Sequence, residues 1–412
     1  MPRALSRILW SCALLLVAVS SFSAQPLEFR KLTLDSSFYA EGAAYADINR
    51  DGHNDIVAGP YWYEGPGFTQ RHEIYAPLAV DPHLYSANFF AFTSDFNGDG
   101  WPDVLVFGFP GKDASWYENP KGVQAAWVRH VVLDEVSNES PVFARLEANG
   151  PRVIVCANGG RYGWAAPADK THADKPWTFH PISALGGKVG PYTHGLGTGD
   201  VNGDGRTDIL DYTGWWEQPV SLAGDPVWTR YEFGSPTGRR GGAQMYVADV
   251  TGEGLADIIS GHDAHGYGLS WFEQKRGSDK TVTWCEHPIL GTKAEEKIKG
   301  VQFSQVHAIA VADMDGDGRL DVVAGKRWWA HGDHGDVEPN APAVLYVFHQ
   351  VRLPDGSTEF EPQLVDSESG VGTQLTVGDI DGDGRPDILV SNKRGTFVFL
   401  TSTKSTSPIP AK

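Results

Sequence analysis

"DVNGDGRTDILDY", residues Asp200 to Tyr212, places acidic or amide side chains at positions one, three, five and nine, a glycine at position six, and an apolar run straight after. Oxygen-bearing side chains at this spacing converge on one hard cation, and the glycine permits the tight turn that brings them round. The flanking apolar runs are of strand length and lack a helical period, so the loop joins two strands.

The template recurs as "DINRDGHND" from Asp47, "DFNGDGWPD" from Asp95, "DVTGEGLAD" from Asp249, "DMDGDGRLD" from Asp313 and "DIDGDGRPD" from Asp379. Successive starts lie 48, 105, 49, 64 and 66 residues apart. The gap of 105 spans two periods, and "VFARLEANGPRVIVCANGG" in its middle supplies the flanking strands without an acidic loop. That makes seven repeats, the third degenerate. Each also carries a third strand around "WYE" and a fourth such as "WVRHVVL" or "WCEHPIL". Four strands per unit at this period describe a propeller blade. The last repeat stops at "GTFVFLTS", and "LEFRKLTLD" (Leu27 to Asp35) supplies its missing strand. The expected fold is all-β, a seven-bladed β-propeller of four-stranded blades over residues 25–402, closed by the N-terminal strand completing the last blade. Closure also removes exposed sheet edges.

Five loops carry full sets of calcium ligands: Asp47, Asn49, Asp51 and Asp55; Asp95, Asn97, Asp99 and Asp103; Asp200, Asn202, Asp204 and Asp208; Asp313, Asp315, Asp317 and Asp321; Asp379, Asp381, Asp383 and Asp387. The loop at Asp249 substitutes Thr251 and Glu253 and is expected to bind weakly or not at all. These ions are structural, pinning hairpins. The loops with their flanking strands resemble the FG-GAP or VCBS repeats of integrin-type propellers, from Leu27 to about Ser402. That resemblance implies a fold and says almost nothing about function.

Residues 1–24 read as a signal peptide: a basic "MPRALSR", an apolar "ILWSCALLLVAVS" and small residues near Ser23 and Ala24. No later segment is long and apolar enough to span a bilayer, so a periplasmic or secreted protein is expected. Residues 403–412 read as a flexible tail. The formal charge of -18 provides no basic patch for a nucleic acid. Cys156 and Cys285 lie far apart in the repeat order and are expected to be buried, unpaired thiols.

The repeats act as one another's controls. His72, His130, His180 and His287 fall at one fourth-strand position and read as scaffold. His53, inside a calcium loop, and His349, in the apolar "VLYVFHQ", are set aside. The residue six before each first Asp lies roughly 20 Å from the loop at about 3.3 Å per residue, on the opposite face. Those residues are Glu41, Phe89, His194, Ala243, His307 and Thr373. Five beyond the closing Asp, on the strand returning to that face, stand Pro60, Gly108, Thr213, His262, Lys326 and Asn392. His194, His262 and His307 thereby form a candidate site for zinc or another divalent transition metal.

The sixth repeat then breaks pattern. Where others run into "WYEGP" or "WWEQP", it opens into "GKRWWAHGDHGDVEPN", Gly325 to Asn340. His331, His334 and His83 are candidate bases, and Lys326 and Lys393 candidate stabilisers of a developing oxyanion. Arg327, Trp329, Gln374, Asn392, Gln244 and His265 are candidate substrate-binding residues. "GKRWWAH", "SGVGTQ" (Ser369 to Gln374) and "SNKRG" resemble the propeller of aldos-2-ulose dehydratase-like proteins. This implies a carbon–oxygen lyase, a hydro-lyase acting on a keto-sugar or oxidised glycoside through a metal-bearing funnel. The resemblance concerns the propeller only, and activities that need the further domains of the fungal members are not expected of this chain. The competing readings are a non-catalytic carbohydrate-binding or adhesion propeller, and a metal-dependent hydrolase or a polysaccharide lyase using His and Tyr without zinc, with Tyr162 or Tyr267 as its acid.

Overall fold

A computed structural model describes residues 26–402 apart from 124, 186–188, 235–240 and 279–280. The signal-peptide and tail readings lie outside the described residues. Within them the chain is all-β, with one short 3-10 turn at Lys170–His172. No helix among the described residues is long and apolar enough to cross a membrane.

Strands pair antiparallel with their sequence neighbours in groups of four. Ala43–Ala46, Asp55–Ala58, Tyr61–Tyr63 and Arg71–Glu73 form one such sheet, and Val306–Ala312, Asp321–Lys326, Leu345–Arg352 and Thr358–Asp366 another. The second and third groups share a long strand, Val128–Arg145. Its first half pairs with Lys112–Glu118 and its second half with Arg152–Asn158, so an outer strand continues directly as the next inner strand. The repeat without an acidic loop is therefore fully formed as a sheet. Leu196–Gly199 and Met245–Ala248, the inner strands of the fourth and fifth groups, meet in parallel at Gly197 and Met245. Glycine is required there: a Cβ on Gly197 would lie 2.2 Å from the Met245 carbonyl oxygen. Glu28–Asp35 pairs along Gly395–Ser402, so the first described strand completes the last sheet.

The ninth residue of each acidic loop explains why the pattern recurs. Asp103 is buried; one oxygen accepts from the Phe96 N–H at 3.0 Å and the other from the Asn119 N–H at 2.9 Å. Asp321 does the same with Met314 and Gln350 at 3.0 and 2.9 Å. A buried carboxylate thus ties the end of the inner strand to the end of the third, satisfying backbone donors that would otherwise be orphaned. Asp257 makes equivalent bonds to Val250 and Gln274, although its loop has lost Asp or Asn at positions three and five. The hairpin geometry survives that loss.

The fourth-strand histidines share one structural task. His72, His130, His180 and His287 pack on Trp62, Trp116, Trp164 and Trp271 with centroids 4.0, 4.4, 4.0 and 4.1 Å apart. Cys156 is buried as expected, whereas Cys285 is exposed. The cause is local: Cys285 stands on an outer strand with a face toward solvent, Val282–Leu290.

Candidate functional site

At the end of the inner strands away from the acidic loops, Glu41, Phe89, Glu139, His194 and His307 are all buried. Glu41 and Glu139 occupy equivalent places. The Glu41 N–H donates to the Asn88 carbonyl at 2.8 Å and the Glu139 N–H to the Thr193 carbonyl at 2.8 Å, each bond linking to the head of the next inner strand.

Arg327 fills the space between them. Its strand ends at Lys326, and the Arg327 N–H is held by the Gln305 carbonyl at 2.9 Å. The guanidinium reaches Glu41 Oε2 through Nε at 2.9 Å and through a terminal nitrogen at 2.7 Å, and lies 3.7 Å from Glu139 Oε2. It also approaches His307 Nε2 at 3.4 Å and sits 5.6 Å from the centre of the Phe89 ring. Burial pushes the Glu139 carboxyl up, against the pull of Arg327.

Three imidazoles meet beside this ion pair. His194 Nε2 and His265 Nε2 are 3.1 Å apart, and His194, His265 and His307 each offer a ring nitrogen within 4.8 Å of the others. Burial, followed by neighbouring imidazoles and Arg327, holds His194 and His307 well below the ordinary histidine pKa, so both are neutral. Neutral imidazoles at this spacing could hold a transition metal. Ligands about 2.1 Å from a tetrahedral zinc lie roughly 3.4 Å from one another. With Glu41, Glu139 and Asp336 set against Arg327 and Lys393, the enclosure has carboxylates to offset a cation.

Asp336 connects this cluster to the surface. Its Oδ1 lies 2.9 Å from His331 Nδ1 and 3.3 Å from His265 Nδ1, and Oδ2 accepts from the His331 N–H at 2.9 Å. Burial opposes ionisation of Asp336, but the bonds from His265 and His331 outweigh it and hold the carboxyl well below the usual range. One carboxylate thus orients a partly buried imidazole and a half-exposed one. Above them lies a cavity of about 250 Å³ lined by Tyr85, Phe89, Phe109, Glu139, Tyr192, Arg327 and His331. Lys393 stands at its edge, donating to the Trp329 carbonyl at 2.9 Å with Nζ 4.6 Å from the Tyr85 ring centre. Burial lowers its pKa to about 8.

Residues 371–405 match the FG-GAP repeat model. The chain carries an FG-GAP repeat. It is 27% identical over 293 residues to integrin alpha pat-2 of Caenorhabditis briggsae and 26% identical to that of Caenorhabditis elegans. Each alignment covers 62% of this chain and 22% of the integrin, so the chain spans about a fifth of the relatives it matches. Among solved structures, an Agrocybe aegerita lectin recognising non-reducing terminal N-acetylglucosamine superposes with a TM-score of 0.48 at 16% identity, over 92% of this chain and 86% of that one. Rhamnogalacturonan lyase YesW gives 0.44 at 14% identity, over 91% and 76%.

Against the FG-GAP pattern, the funnel residues divide. His194 and His307 meet as the register places them, but His265 stands where His262 was expected. His262 Nε2 instead bonds Ser270 Oγ at 2.8 Å and lies 3.2 Å from Glu286, because its strand runs outward behind the inner one. Gln374 and Gln244 do not line the mouth. The Gln374 amide accepts from the Ala91 N–H and donates to the Ala91 carbonyl, while Gln244 donates to the Thr373 carbonyl and accepts from the Ile309 N–H. Both bridge inner strands. Asn392 is likewise taken up by backbone, donating to Ser369 and accepting from the Arg394 N–H.

Lys326 is fully buried and turns to Ser304 Oγ at 2.7 Å, outside the cavity lining. His334 points to solvent beside Asp333, with 89% of its side chain exposed. His83 bonds Asp81 at 2.8 Å and packs against Trp329, whose indole N–H is held by Asn340. Tyr162 is buried between sheets, and Tyr267 lies beside Glu338 outside the cavity. Sequence comparison missed Glu139, Asp336 and the aromatic wall. Glu139 belongs to the repeat with no acidic loop to count from, though it stands three residues before the "VFAR" that begins at Val142.

Proposed function

We propose that the seven sheets close into a seven-bladed propeller, and that the funnel is the active site of a carbohydrate-active lyase, a hydro-lyase acting on a keto-sugar or oxidised glycoside by β-elimination. Closure is supported by contacts between inner strands: Ala43–Ala46 touches both Phe90–Ser94 and Leu375–Gly378, and Leu196–Gly199 touches both Val128–Arg145 and Met245–Ala248. Calcium in the acidic loops is supported by the first of them, where Asp47 and Asn49 both accept from the Asp51 N–H and Asp47 also accepts from the Gly52 N–H, so that oxygens of positions one and three turn the same way. Export to the periplasm or medium rests on the sequence of residues 1–24.

The observation that carries the catalytic reading is Asp336, which joins the half-exposed His331 of the cavity to the three-imidazole cluster through His265. His194, His265 and His307 would hold zinc or another divalent transition metal. Such an ion, when bound, supplies Lewis acidity toward a carbonyl oxygen. His331 removes the proton on the carbon next to the keto group, with Asp336 fixing its ring through Nδ1. The electrons pass into an enolate, whose oxygen Lys393 and Arg327 offset with positive charge. The β C–O bond then breaks, giving a conjugated enone, and the departing oxygen takes back the proton held by His331 and leaves as water or alcohol. Tyr85, Phe109 and Tyr192 bind the faces of the ring and exclude water.

Incubation with 1,5-anhydrofructose tests this through the ultraviolet absorbance of the enone. Growth of that band with wild type, and its loss with His331→Gln, is expected. Sugar binding without any enone would overturn the lyase reading in favour of a non-catalytic carbohydrate-binding propeller, which the exposed Tyr192 beside Phe109 also favours.

A further inference from the structure

The position before the third-strand cap is Glu64, Glu118, Glu217 and Glu273 in four sheets, Leu400 in the last, and His349 in the sixth. The assignment follows from the capping bonds, since the next residue donates its N–H to the ninth Asp in each case: Gly65, Asn119, Gln218, Gln274, Thr401 and Gln350. Diagonally across on the fourth strand, where other sheets set His72 opposite Trp62 or His130 opposite Trp116, the sixth sets Gln363 opposite Val347.

His349 is 3% exposed, and its two ring nitrogens have different surroundings. Nε2 lies 2.9 Å from Gln363 Oε1. The Gln363 amide cannot be turned round, because its Nε2 donates to the Leu27 carbonyl at 2.6 Å and its Oε1 accepts from the Leu27 N–H at 3.0 Å. His349 Nε2 therefore carries a proton toward Gln363, which leaves Nδ1 as the atom directed at the acidic loop. That atom has no hydrogen-bond partner and faces Asp321 Oδ2 at 3.4 Å and Asp315 Oδ2 at 3.9 Å.

We propose that the sixth acidic loop binds a transition metal, with His349 Nδ1, Asp315 and Asp321 as ligands. The separations suit a shared ion, which would displace the proton of a His349–Asp321 ion pair. An imidazolium donating to a carboxylate closes to about 2.7–2.9 Å. Donors sharing one zinc ion at about 2.1 Å stand roughly 3.4 Å apart. Calcium prefers oxygen throughout, whereas a nitrogen donor selects zinc-like ions. Gln363 orients the ring from behind and ties it to Leu27, which leads into the strand completing the last sheet. The metal thus anchors the N-terminal strand to the sixth loop.

The test uses the full chain carrying His307→Ala, which removes the funnel cluster, in excess calcium and titrated with cobalt(II). One cobalt per chain with a nitrogen-containing ligand-field spectrum is expected, and its loss on adding His349→Leu, the residue type the last sheet tolerates there. Calcium alone in the His307→Ala protein, or a cobalt spectrum unmoved by His349→Leu, overturns the site. Cobalt lost on His307→Ala and indifferent to His349 supports the funnel metal and also overturns this one. Should His349→Leu fail to fold, anomalous diffraction at the zinc edge decides. A peak bonded to His349 Nδ1 supports the site and its absence there refutes it.

Discussion

Arg327 and Glu41 stand 286 positions apart in sequence and meet through two short contacts, 2.9 Å from Nε and 2.7 Å from a terminal nitrogen, with both side chains buried. The pair joins the sixth sheet to the head of the first inner strand beneath the cavity. Cutting one side strands a charge away from water. Arg327→Leu should cost about 3–5 kcal/mol in urea unfolding, while Arg327→Leu with Glu41→Leu should recover part of that loss. Strictly additive costs would show that the two charges are not coupled.

Two neighbouring histidines should behave differently. His265→Ala should abolish transition-metal binding in the funnel, and His262→Ala should leave it intact, since His262 is engaged with Ser270 and Glu286. Asp336→Asn should weaken the metal by about 10–100-fold, the usual consequence of losing a carboxylate behind a ligating imidazole. Metal analysis and competition titration read all three, and equal loss in His262→Ala would refute the assignment.

Gln374→Ala should lower stability by about 1–3 kcal/mol, because the Ala91 N–H and carbonyl lose their partner together. Sugar affinity should not change. A weakened affinity at unchanged stability would return Gln374 to the substrate.

Lys393 and Lys326 are each lowered by burial to about 8. Their folded values lie below the ordinary 10.5, so above pH 8 the unfolded chain holds more protons and stability rises with pH until the ordinary value is reached. Denaturation between pH 8 and about 9.5, below the tyrosine range, should show that rise, and Lys326→Met should flatten it. Enone formation should fall over the same interval as Lys393 loses its charge. An activity that stays level would remove Lys393 from the reaction.

The sequence made much of the scaffold legible because one physical requirement repeats. Every acidic hairpin needs a glycine turn, converging oxygens and a ninth Asp to cap two strand ends, so the same residues return at each period. Counting from those loops located Glu41, Phe89, His194 and His307, which share one strand position. The count failed at Glu139, whose repeat has no loop, and at His265 and Asp336, which stand in connections of irregular length.

By itself, then, the sequence determined strand order, the sheet units and the heads of the inner strands, since these follow from periodicity and local capping. Only the tertiary structure decided which heads meet Arg327, which imidazole joins His194 and His307, and which amides serve backbone instead of substrate. Those outcomes depend on where side chains from distant repeats compete for one buried volume. That competition between charge, hydrogen bonding and space has no counterpart in residue spacing.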